Sequence, residues 1–318
     1  LFVIVAGIMF INPANYTPFV PPAAAAEASG GFSWTQPLLQ FMTGAAPTAF
    51  GVGGIFAGAA LVFFAYIGFD VVATTAEETR NPQRDLPIGI IASLIICTVL
   101  YCAVALVVVG MVNYADIDPS AALANAFAHH GQGWMATLIS AGAVAGLTTV
   151  VLTLMIGATR IIFAMSRDNL LPVGLARVHP KYRTPWRISI VVTVACLIFA
   201  GLTPIGMLEE MVNIGTLSAF ILVSLAVVVL RRKRPDLPRA FKVPFSPVLP
   251  ILSALICFYL TLNLSLETWV RFLVWMALGF LIYAAYGYRN ARLATGKALP
   301  HDIQQAMAEG VVRPDDQR

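Results

Sequence analysis

Seven apolar segments recur along this chain of 318 residues, at about 50–75, 87–112, 134–166, 187–203, 208–230, 247–265 and 269–288. A helix needs about 20 mostly apolar residues to cross a hydrocarbon core. Backbone groups inside that core must be satisfied within the segment itself, so apolar runs of this length predict helices rather than open sheet. The sequence therefore predicts an all-α polytopic membrane protein. The third segment exceeds what an upright helix requires, which predicts a tilted helix or one that continues past the bilayer. Hydrophobic residues make up 58% of the chain and charged residues 11%, a balance that excludes an ordinary soluble domain.

The basic residues orient the segments. Of the 20 lysines and arginines, all but Arg271 fall on alternate connections: Arg80 and Arg84, then Arg160 to Arg187, then Arg231 to Lys242, then Arg289 to Arg318. The loops 12–48, 113–133 and 204–207 carry none. This asymmetry predicts that the basic side and the C-terminus are cytoplasmic. It also accounts for the net charge of +4 without any nucleic-acid partner. The chain divides into a short apolar opening (1–11), an extracytoplasmic loop (12–49), five membrane helices (50–231), two more (232–289) and a polar cytoplasmic tail (290–318). Leu1–Ile11 is too short to span and reads as the last turns of a truncated helix, so the chain is expected to belong to a longer protein.

Within the first full segment, Phe63-Phe64-Ala65-Tyr66-Ile67-Gly68-Phe69-Asp70 departs from a plain span. Asp70 is ionisable at membrane depth, where charge costs at least a few kcal/mol unless it faces a cavity or a partner. Glycine lowers the cost of leaving helical dihedrals. Together they predict a helix interrupted in mid-membrane, whose freed backbone groups bind something polar. Two readings of Asp70 stand: a carboxylate facing a polar pathway, or one paired structurally near the cytoplasmic end. Glu77 and Glu78 read either as a solvated face or as a gate paired with Arg80 or Arg84. Thr148, Thr149 and Thr153 lie mid-span, where threonines usually bond back to their own helix. The four cysteines lie in apolar runs and the four histidines in loops or the tail, without metal-ligand spacing. No nucleophile or paired carboxylates occur at membrane depth, so the sequence points away from an enzyme and calls for no cofactor or metal.

The stretch Phe63–Asp70, followed by Glu77-Glu78, Asn81-Pro82-Gln83 and Leu86-Pro87, resembles the sixth helix of the amino acid–polyamine–organocation transporters, most of all their cationic amino acid transporter branch. Phe163–Pro172 is similar to the end of that family's eighth helix, and His179-Pro180, Thr184-Pro185 and Phe241–Phe245 also match. The resemblance implies two inverted five-helix repeats plus two extra helices, of which this chain holds the tail of the fifth helix and the sixth to twelfth. Broken first and sixth helices would together form the substrate site. By the same resemblance, the carbonyls of Phe64, Ala65 and Ile67 receive a substrate ammonium, Tyr66 and Gly68 shape the break, and Asp70 faces the side-chain end or the pathway. Val151 corresponds to a position limiting side-chain size. The expected function is secondary amino acid transport across the plasma membrane, coupled to protons or to exchange and completed by upstream helices. A membrane receptor that retains the fold without transporting is the alternative.

Overall fold

A computed structural model describes residues 1–22, 33–44, 50–74, 79, 81–118, 121–179, 184–235 and 241–291. Glu77, Glu78 and Arg80 lie outside the described residues, as does the tail from residue 292. The described residues form helices, with one isolated antiparallel bridge between Pro37 and Ser265. The protein is an all-α, multi-pass integral membrane protein.

Helix α1 (Phe2–Gly7) lies against the far half of α5 (Pro82–Met111). Between them, α2 (Leu38–Thr43), α3 (Gly51–Val62) and α4 (Val71–Thr74) follow in order. A short α6 (Ala122–His129) precedes the long α7 (Gly133–Arg167) and then α8 (Trp186–Leu202). Helices α9 (Ile205–Lys233), α10 (Val248–Leu262) and α11 (Leu266–Ile282) complete the bundle, and α11 continues through a π-helical turn into α12 (Tyr288–Asn290). Five apolar stretches are long enough to cross a bilayer. Helices α8 and α10, with 17 and 15 residues, are shorter than the roughly 20 a full upright crossing needs.

The predicted segments coincide with these helices, with two differences. Helix α5 begins at Pro82 rather than near residue 87, because a proline at the first helical position loses only an N–H that has no intrahelical acceptor there. Asp85 falls inside the first turn, and Pro87 lies within the helix. The loops 12–49 and 113–133 carry the small helices α2 and α6, which are too short to register as apolar periodicity. Helix α7 stops where Asn169 takes a left-handed φ of 62°, which an asparagine tolerates better than most side chains.

Two apolar clusters hold the bundle. Val107, Val108, Met111, Val112, Ala126 and Phe127 are buried together, with Ile4, Phe10 and Ile11 packed against them. A Cβ on Gly7 would stand 2.3 Å from Val107 Cγ1, so only glycine permits this approach of α1 to α5. Gly7→Val is expected to cost about 1–3 kcal/mol by overpacking, measurable as a lowered midpoint of thermal unfolding in detergent. The second cluster joins Ala60 of α3, Ile214 of α9 and Leu264, with Trp269 and Phe272 of α11 alongside.

The loop before α2 braces this second cluster. Leu38 N–H donates to the Leu264 carbonyl (3.0 Å), and Leu266 and Glu267 N–H donate to Gln36 and Trp34 carbonyls (3.0 and 3.1 Å). At the same junction, the Ser265 and Thr268 hydroxyls both donate to Glu210 Oε2, tying α9 to the start of α11.

Candidate functional site at a helix break

Helix α3 does not run on into α4. Its last turn tightens to 3-10 geometry over Phe63–Tyr66, Ile67 is extended (φ −63°, ψ 131°), and Gly68 has a φ of 123°. A positive φ of this size strains any residue with a Cβ, so the sequence supplies glycine. The Gly68 N–H donates to Asp70 Oδ1 at 3.2 Å, and the chain resumes helical geometry at Val71.

The break is clasped from two sides. On the α9 side, Asn213 is fully buried, and its side-chain amide donates to the carbonyls of Ala60 (3.2 Å) and Leu61 (3.4 Å). Helix ends leave carbonyls without intrahelical donors, and this amide supplies the missing hydrogens. Phe220 of α9 contacts both flanks of the break, with ring centroids 5.9 Å from Phe63 and 5.5 Å from Phe69. On the α5 side, the Tyr101 hydroxyl donates to the Ala65 carbonyl (2.8 Å), and its ring meets Tyr66 edge-on at 5.2 Å. Beyond the break, Val71 packs against Gly157 of α7, where an added Cβ would meet Val71 Cγ1 at 3.0 Å.

These contacts decide which carbonyls are open. The Phe64 oxygen accepts from Ile67 N–H (3.1 Å) and the Ala65 oxygen from Tyr101. The Tyr66 and Ile67 oxygens accept no hydrogen bond among the described residues. Asp70 is partly buried, and no described basic side chain pairs with it. The turn therefore presents two open carbonyls and a carboxylate within five residues, an arrangement that attracts a cation or a hydrogen-bond donor. Val151 lies on α7, six residues before Gly157, and is 54% exposed. The hydroxyls of Thr148, Thr149 and Thr153 donate to carbonyls of their own helix, as expected of threonines in an apolar span.

Sequence reasoning missed Asn213, Tyr101 and Phe220. Only Asn213 carried a readable signal: an amide within a helix that crosses the membrane, where a buried polar group must find a partner.

The sequence profile described as amino acid permease matches residues 1–291. The branched-chain amino acid permease BcaP of Bacillus subtilis (strain 168) is 44% identical over 296 residues, covering 92% of this chain and 57% of that protein. The methylthioribose transporter of the same organism is 41% identical over 293 residues, covering 92% and 58%. Cationic amino acid transporter 4, vacuolar, of Arabidopsis thaliana is 42% identical over 187 residues, covering 59% of this chain and 31% of that protein. The chain thus spans less than two thirds of the length of these relatives. The match over residues 1–291, with relatives above 40% identity along nearly the whole chain, places it in the amino acid permease family of the amino acid–polyamine–organocation superfamily, a family of transporters and not of enzymes.

Proposed function

We propose that this chain forms the second half of a secondary amino acid transporter, in which the break at Tyr66–Gly68 receives the substrate's α-ammonium. The observation that carries the reading is the pair of open oxygens on Tyr66 and Ile67 beside Asp70. Oxygens freed by a helix break replace water around an ammonium group, and rocking of one bundle against another opens the site to each side in turn. The five helices over 50–231 form one inverted repeat, the helices after residue 232 are additional, and the basic loops lie in the cytoplasm. Helices upstream of Leu1 complete the site, and coupling is to protons or to a counter-substrate.

Neutral, apolar amino acids fit the site better than cationic ones. Among the described residues Asp70 is the one carboxylate at the break, and its Oδ1 already serves the Gly68 N–H. A relative 44% identical over nearly the whole chain is named a branched-chain amino acid permease, which points the same way.

Uptake by the complete protein in proteoliposomes tests both parts. Saturable leucine uptake is expected, with isoleucine and valine competing and lysine competing at least about tenfold less well, a difference of about 1.4 kcal/mol. Competition by methylthioribose but not by amino acids would overturn the ammonium assignment in favour of a substrate without that group. Normal transport by a Tyr66→Leu, Asp70→Leu double mutant would overturn the site. The 318 residues alone are expected to show no uptake.

A further inference from the structure

The start of α5 carries two adjoining cavities of opposite character. One, of about 450 Å³, is lined by Asn81, Pro82, Gln83 and Arg84. The other, of about 650 Å³, shares Gln83 and Arg84 but runs on along Pro87, Ile88, Ile91 and Ile95, closed on one flank by Phe241. The isoleucines stand 57%, 47% and 60% exposed, so the groove is open along its length. From Pro87 to Ile95 the helix rises about 12 Å at 1.5 Å per residue.

We infer that this double cavity binds an anionic phospholipid, its phosphate against Arg84 and Gln83 and one acyl chain in the isoleucine groove. A polar pocket and an apolar groove sharing one arginine match the two halves of such a lipid. The guanidinium of Arg84 pairs with no carboxylate among the described residues, and Asp85, the next residue, lines neither cavity. The position along the chain agrees, because the polar end precedes an apolar helix long enough to cross the membrane. A basic side chain at such an end meets the headgroup layer, where it attracts anionic lipid. Phe241 comes from the connection between α9 and α10, so a bound lipid bridges α5 and that loop. The inference does not depend on what the protein transports.

The test uses the complete protein in bilayers containing phosphatidylglycerol with a photoactivatable acyl chain, or the matching phosphatidylcholine, with labelled residues mapped by peptide mass spectrometry. The phosphatidylglycerol probe is expected to label the segment from Pro87 to Ile95, and the phosphatidylcholine probe much less. Arg84→Ala is expected to lower phosphatidylglycerol labelling about fivefold, the effect of one basic residue near a headgroup, and Arg84→Lys to preserve it. Ile91→Trp, which fills the groove and keeps the charge, is expected to lower labelling as well. Equal labelling by the two lipids, or labelling unchanged in Arg84→Ala, overturns the inference. Absence of labelling in the intact protein overturns it too, since another part of the protein then covers the groove.

Discussion

Gly68→Val is expected to lower saturable amino acid uptake by the complete protein about thirtyfold, without changing how much protein reaches the membrane. Nothing lies within 4 Å of where a Gly68 Cβ would stand, so the substitution meets no steric obstacle. Its whole cost comes from the φ of 123°, which a β-branched residue resists. Holding a non-glycine residue in such a region costs about 2 kcal/mol. The turn relaxes towards a conformation that no longer aims the Tyr66 and Ile67 oxygens, and the competent population falls by the corresponding factor of about 30. Gly58, on α3, provides the control: it also has open space at its Cβ but keeps helical dihedrals, so Gly58→Ala is expected to leave uptake unchanged. Uptake and surface expression measured for both variants decide the matter. If Gly68→Val transports normally, the shape of the break has no role in binding.

The sequence made the break legible because two residues conflict with their surroundings: a glycine and an aspartate within one apolar run. Each would be unremarkable in a loop. The segments themselves were legible for a simpler reason, since the bilayer imposes one length and one polarity on every crossing. What sequence reasoning could not supply is which oxygens at the break stay open. The family resemblance named Phe64, Ala65 and Ile67 as ammonium ligands, but the Ala65 oxygen already holds the hydroxyl of Tyr101, 36 residues downstream. No pattern near residue 65 announces that partner. Likewise Phe220 reads as one more apolar residue of α9, and only the fold sets its ring against both Phe63 and Phe69. Apolar periodicity places the start of α5 near residue 87 because the polar stretch Asn81–Asp85 precedes the apolar run, whereas Pro82 fits the first position of the helix.

Asn213→Leu is expected to destabilise the complete protein by about 2 kcal/mol and to reduce uptake further than the lost stability alone explains. The side chain is fully buried 153 residues from Ala60, and its amide supplies donors to two carbonyls at the end of α3. Each such bond contributes about 1 kcal/mol net, and stranding a buried acceptor costs more than never having had a partner for it. The opposite rotamer would press Oδ1 against both carbonyls, so the chemistry fixes the amide's orientation and leaves Oδ1 without a partner among the described residues. Leucine relieves that one orphan but removes the donor from the Ala60 carbonyl and one of two donors from the Leu61 carbonyl, so the balance remains unfavourable. Asn213→Asp separates hydrogen bonding from packing. It keeps the shape, but an ionised carboxylate there has no proton to donate and repels both carbonyl oxygens, so it should be worse than leucine. Thermal unfolding in detergent with and without leucine ranks the variants. The expected order of midpoints is wild type, then Asn213→Leu, then Asn213→Asp, with leucine stabilising the wild type more than either variant. Equal stabilisation of all three by leucine would mean that Asn213 only holds α9 against α3 and does not set the geometry of the break.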